Sequence, residues 1–281
     1  MTWRWVQLTV AGTTLAFLVW RLGTGPFLDG LRAVDGWALA AASGLTVVTT
    51  VCCAWRWRLV ARGLGVDLPL GTAVAAYYRS LFLNLTLPGG VVGDVHRGIS
   101  HGRDSSDVAR GLRGVAWERV AGQVVQILLT VAVLLALPSP VHAVVPLAAI
   151  GLLALVAGVV LAVRMRAWPA IALASALVVA GHAATFLIAA RSAGVTAPTS
   201  EMLPLALLVL QAAALPNIGG WGPREGVTAW AFAAAGLGAS VGVATAVAYG
   251  VMVFVASLPG AVVLVAAELR VPARLEEVPD V

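Results

Sequence analysis

Six apolar runs of membrane-spanning length leave this chain few folds to choose from. They cover about residues 4–22, 36–55, 119–137, 142–163, 168–190 and 240–267. A helical span requires about 20 mostly apolar residues. In hydrocarbon the backbone must hydrogen-bond within its own segment or around a closed barrel. A barrel would alternate apolar and polar residues over segments of about 10 residues, whereas these runs are unbroken. Charged residues make up 11% of the chain, against about 25% in a soluble domain. The chain therefore predicts an all-α polytopic membrane protein. No polar stretch reaches the roughly 50 residues a second folded domain needs, so residues 1–281 read as one integral membrane domain. The N-terminal run resembles a signal peptide, but it is long and no Ala-x-Ala site follows it, which predicts a retained first helix.

Three further runs, 70–87, 203–215 and 224–237, are apolar but short or interrupted. Arginine placement orients them. All 18 basic residues are Arg, and basic loops stay in the cytoplasm. Arg56, Arg58 and Arg62 follow the second run, and Arg97, Arg103, Arg110, Arg113 and Arg119 surround the loop before the third. Arg164 and Arg166 follow the fourth, and Arg270 and Arg274 the last. The loops at 23–35, 138–141 and 192–200 then lie outside, and both termini are cytoplasmic. Segments 56–69 and 97–118 fall on the same side, so the run 70–87 between them must enter and return. The pair at 203–237 does the same from the opposite face. Two re-entrant helical hairpins in an inverted repeat follow. The segment 100–118 reads as a surface helix with Arg103, Asp107 and Arg110 on one face.

A motif recurs at the tips of both hairpins. Asn84-Leu-Thr-Leu-Pro-Gly-Gly-Val-Val-Gly-Asp-Val-His-Arg97 is the first copy, and Leu215-Pro-Asn-Ile-Gly-Gly-Trp-Gly-Pro-Arg-Glu-Gly226 the second. Each has Leu-Pro, a glycine pair, a further glycine and an Arg. Proline ends a helix and glycine frees the backbone, leaving N–H groups that can bind an anion. Matching helix breaks in two halves of a membrane protein point to a transporter's binding site. Gly89, Gly90, Asp94 and Arg97 are candidates in the first copy. Pro216, Gly219, Gly220, Arg224 and Glu225 are candidates in the second, with Pro223 opening a helix whose positive end faces the break. Arg97 and Arg224 are expected to meet the anion directly, since guanidinium bonds two phosphate oxygens at once.

Other polar residues sit within apolar surroundings. Arg79 lies inside the run 70–87, where an ionisable residue marks function by default and snorkelling to the interface is the alternative. Tyr77, Ser80 and Asn84 recur on one helical face leading into the first motif. Glu118 and Arg119 open the third run, and Arg119, Gln123 and Gln126 share a face that either meets a polar interior or hydrogen-bonds a neighbouring helix. The tryptophans at 3, 5, 20, 37, 55, 57 and 117 sit mostly near run ends as an aromatic belt. Cys52 and Cys53 are adjacent and read as packing residues. The four histidines show no metal-ligand spacing, and no cofactor motif or nucleotide-binding loop is present.

The first motif, the Glu118-Arg119 helix start and Pro216-x-x-Gly-Gly-x-Gly-x-Arg-Glu together resemble the lysylphosphatidylglycerol synthase transmembrane-region family of flippase-like membrane proteins. The resemblance runs from about residue 5 to 267 and is strongest at 77–125 and 211–260. It implies movement between leaflets of an anionic or aminoacylated phospholipid, or of a lipid-linked phosphate such as a polyprenyl phosphate. Multidomain members carry a soluble synthase domain, which is expected to be absent here. The implied partners are membrane lipids, a separately encoded synthase or glycosyltransferase and a second copy of the chain, not nucleic acid. The implied location is the bacterial plasma membrane. Two rival readings are an enzyme modifying a lipid phosphate through Asp94, His96 and Arg97, and a non-catalytic membrane partner. The absence of a Ser or Cys beside a base favours a transporter over an enzyme.

Overall fold

A computed structural model describes residues 2–88, 90–137, 167–212, 215 and 217–266, with side chains from Trp5 onward. Ten helices are described: α1 (Thr2–Leu22), α2 (Gly25–Arg32), α3 (Gly36–Gly63), α4 (Leu70–Thr86), α5 (Val92–Asp104), α6 (Val108–Ala136), α7 (Trp168–Ser192), α8 (Thr199–Gln211), α9 (Pro223–Ala234) and α10 (Ala239–Ser257). Five are long and apolar enough to cross a membrane: α1, α3, α6, α7 and α10 with its continuation to Ala266. The sixth expected span, 142–163, lies outside the described residues, as do Gly89 and Pro216. Past Ser257 the helix loses its regular bonding at Leu258 and resumes at Pro259. There the missing proline N–H is tolerated as at any helix start.

Helix ends follow local chemistry. Asp35 caps α3 by accepting from the Ala38 N–H at 2.7 Å. Asp107 caps α6 by accepting from the Arg110 N–H at 2.8 Å. This second cap corrects the reading of 100–118 as one surface helix. The chain leaves α5 at Asp104, turns through Ser106 at φ 57° and starts α6 at Val108. The helix that carries the third span therefore begins at Val108 rather than at 119. Similarly, α3 runs past 55 to Gly63, and the expected loop 23–35 contains α2, whose Gly30 rests on α10.

The core lies where α3, α7 and α10 pack side by side, with α8 and α9 against them. Phe186 of α7 meets Phe232 of α9 edge-on at 6.3 Å and Tyr249 of α10 at 5.9 Å. Between apolar helices in lipid, close backbone approach supplies much of the attraction, and small residues permit it. Gly98 and Gly102 of α5 face Gly111 of α6 in this way.

Two hairpins flank the repeated motifs. Helices α4 and α5 fold back on each other around Pro88, so that Gly93 packs on the Ser80 carbonyl. A Cβ at 93 would stand 2.1 Å from that oxygen. Gly93→Ala is therefore expected to push the hairpin apart and to destabilise the protein by about 1–3 kcal/mol or more, read as a lower midpoint in detergent thermal unfolding. Helices α8 and α9 flank the second motif. The two tips touch: Pro88 and Ile218 form an isolated antiparallel bridge. Gly219, at φ 57°, lies against the Leu85 carbonyl, where a Cβ would come within 2.5 Å.

Candidate functional site

The polar stripe on α4 forms and faces acid. Tyr77 donates to Glu118 Oε1 at 2.8 Å, Ser80 to Asp94 Oδ1 at 3.2 Å, and Asn84 Nδ2 to Asp94 Oδ2 at 2.8 Å. Asn84 also accepts from the Gly93 N–H at 2.8 Å, which ties α4 to the first turn of α5. Three guanidiniums close the network. Arg97 reaches Asp94 at 3.0 Å and Glu118 at 3.1 Å. Arg56 of α3 donates to Glu118 through Nε at 2.7 Å and through Nη2, and to Ser175 of α7 at 3.0 Å. Arg119 pairs with the other oxygen of Asp94. Glu118 is fully buried, so these partners replace the water that an ionised carboxylate would otherwise require.

Arg97 is 1% exposed. Its guanidinium lies 4.0 Å from the Tyr77 ring centre and 4.4 Å from that of Trp57, where ring quadrupoles attract it. Trp57, counted above as part of an interfacial belt, is instead buried in the protein. Trp5, Trp20 and Trp37 are exposed as a belt requires.

The second motif is built differently. Gly222 turns at φ 107° against Ala11 of α1, and α9 starts at Pro223. Glu225, fully buried, accepts from the Gly222 N–H at 2.6 Å. Its other oxygen accepts Nε and Nη2 of Arg224 at 3.0 and 2.7 Å. Glu225 thus satisfies the helix start and holds Arg224. The Arg224 guanidinium then sits 5.3 Å from the rings of Trp221 and Tyr249.

Between the two tips lies a cavity of about 320 Å³. Asn84, Leu85 and Gly90 line it from the first hairpin, and Asn217, Gly220 and Arg224 from the second. Helix α6 contributes Arg119, Gln123 and Gln126, α3 contributes Cys53 and Arg56, and α7 and α10 contribute His182 and Tyr249. The Tyr249 hydroxyl and His182 Nδ1 are 3.1 Å apart. Both expectations for the glutamine face of α6 are met at once, since Gln123 lines the cavity and donates to Gln211 of α8 at 2.7 Å.

The predicted residues thus divide. Asn84, Gly90, Arg119, Gly220 and Arg224 reach the cavity; Asp94, Arg97, Glu118 and Glu225 stand behind its wall and hold what does reach it. Arg97 was expected to meet an anion directly; the structure sets two aromatic rings beside it and two carboxylates at its end. Arg79 and Gly219 are not among the described lining residues. His96 is exposed while Asp94 and Arg97 are buried, so the three do not share one face of α5. Sequence reading also missed residues. Arg56 was counted as a loop charge but is buried in the network. His182 is the only ionisable residue in the run 168–190, a signal that was present and unused.

Fold and site together define an all-α polytopic membrane protein with two broken-helix hairpins meeting over a cationic cavity. The chain belongs to the lysylphosphatidylglycerol synthase TM region family, whose model matches residues 4–171. That match takes in the first motif and Glu118-Arg119 but ends before 215–226, so the wider resemblance to residue 267 is shown over 4–171. No curated protein matches the chain.

Proposed function

We propose that the protein moves a phosphate-bearing lipid between membrane leaflets, passing the headgroup through the cavity between the hairpin tips. The observation that carries this reading is the cavity itself: a space between the broken tips, lined by three guanidiniums within largely apolar walls, in a membrane protein from a lipid-related family. A charged group at the bilayer centre costs at least about 2.5–3.5 kcal/mol. Arg119 and Arg224 lower that cost by replacing headgroup hydration, while the tail remains in the bilayer. The hairpins are read as re-entrant from opposite faces of the bacterial plasma membrane, related as an inverted repeat. Arg58, Arg62, Arg103, Arg110 and Arg113 keep the cytoplasmic assignment of the α3–α4 and α5–α6 connections after Arg56, Arg97 and Arg119 are removed from the count. The corresponding topology test is a cysteine at Ser106, which membrane-impermeant maleimide is expected not to label from outside intact cells; efficient labelling would reverse the orientation.

The direct test is reconstitution. Purified protein in vesicles is expected to expose inner-leaflet fluorescent phospholipid to an external quencher. Arg224→Gln should slow that exposure by roughly tenfold or more, the scale of a lost charged hydrogen bond. Unchanged rates in the variant, or no movement by the folded protein, would end this reading.

A further inference from the structure

The charge on the cavity wall selects among headgroups. Arg56, Arg119 and Arg224 line it, and no Asp or Glu does so among the described residues. The carboxylates that hold these guanidiniums are turned away from the cavity: Asp94 is 5% exposed, Glu118 and Glu225 0%. Counting Arg97, which shares Asp94 and Glu118, four guanidiniums face three carboxylates. The assembly around the cavity therefore carries one uncompensated positive charge.

An ammonium group would find neutral acceptors there but no carboxylate and no open aromatic face to offset its charge against the nearby guanidiniums. The two tyrosines that line the cavity already have their rings next to guanidiniums, Tyr77 under Arg97 and Tyr249 beside Arg224. The rest of the polar lining, including Asn84, Gln123, Gln126, Ser175, His182 and Asn217, contains no carboxylate and both donates and accepts. Such groups suit hydroxyls. The volume of about 320 Å³ lies at the lower end of small-ligand sites, which run from roughly 300 to 1,000 Å³. It fits a headgroup without its chains.

Resting on the lipid-moving reading above, we infer that the cavity takes a lipid with a singly charged phosphodiester and a hydroxylated, ammonium-free headgroup, and rejects aminoacylated and aminoethyl headgroups. A phosphodiester supplies one negative charge to the one left over. A lysylated headgroup would bring two ammonium groups to a wall without acid.

The inference is tested by binding, separately from movement. Short-chain phosphatidylglycerol, its lysyl ester and short-chain phosphatidylethanolamine are titrated into the detergent-solubilised full chain, with deacylated glycerophosphoglycerol as the soluble comparator. Phosphatidylglycerol is expected to bind at least about tenfold more tightly than either amine-bearing lipid. It should also bind more tightly than the deacylated diester. Gln126→Glu, which adds a carboxylate to the wall, is expected to narrow or invert the preference. Lysyl ester or ethanolamine lipid binding as well as phosphatidylglycerol would overturn the inference, as would no binding of any lipid. Equal binding of the deacylated diester would overturn the lipid assignment. A binding preference without movement in vesicles would overturn only the transport reading, and movement without preference only this one.

Discussion

Glu118→Ala is expected to be the most damaging single substitution in the chain. The carboxylate accepts from Arg56, Arg97 and Tyr77, and it is fully buried. Removing it leaves Arg56 with only Ser175 and Cys53 as side-chain hydrogen-bond partners among the described residues and Arg97 with Asp94 as its one remaining carboxylate. Deleting one partner of a buried ion pair costs about 3–5 kcal/mol, because the charge left behind keeps its desolvation penalty. On the scale of soluble proteins that corresponds to a melting point lower by roughly 10 °C. We expect poor recovery from detergent and a broad, early transition, with Glu118→Gln intermediate because it still accepts hydrogen bonds. A wild-type transition for Glu118→Ala would show that the network does not hold α3, α4, α5 and α6 together.

The second large effect separates Arg119 from Arg97, the arginine that the sequence singles out as an anion ligand. Arg119→Gln is expected to cut lipid movement by roughly tenfold or more while the protein melts as the wild type does. Its side chain is half-exposed to the cavity, and Asp94 retains Ser80, Asn84 and Arg97 as partners when it is lost. Arg97→Ala should instead fail through folding. It withdraws a cation from beside Trp57 and Tyr77 and from both carboxylates. Melting and transport measured on the same preparations distinguish the two roles. If Arg97→Ala melted normally and lost transport, Arg97 would be the headgroup ligand and the assignment to Arg119 would be wrong.

The difference between these arginines shows what a sequence of this kind can and cannot reveal. The five described spans were legible because apolar run length alone carries them. The stripe of Tyr77, Ser80 and Asn84 was legible because helical periodicity puts them on one face. The helix breaks at Pro88 and at Gly219–Pro223 followed from residue chemistry. Arg56 was not legible, since its partner Glu118 lies 62 residues away and an Arg after an apolar run looks like a loop charge. Trp57 was misplaced for the same reason, because the residue beside it turns into the core rather than toward headgroups. The division between α5 and α6 was missed although Asp107 offered an N-cap signal; the charge periodicity of Arg103, Asp107 and Arg110 masked it. Those three do not share a helix, yet Asp107 and Arg110 still pair at 3.2 Å. The backbone bridge between Pro88 and Ile218 that joins the two hairpin tips was not legible, because no residue type marks such a pairing.

Cys53 gives the most direct measurement of whether headgroups pass between the hairpins. Its thiol forms no disulfide, accepts from Arg56 at 3.7 Å and lines the cavity, whereas the neighbouring Cys52 is buried and does not line it. Reconstituted protein would be treated with a small charged methanethiosulfonate, and the modified fraction and the rate of fluorescent phospholipid movement measured together. The account predicts that the rate falls in proportion to modification of Cys53, that added phospholipid slows the modification, and that Cys53→Ala protein is insensitive. Full-rate lipid movement with Cys53 completely modified would contradict it, because the lipid would then be taking another path.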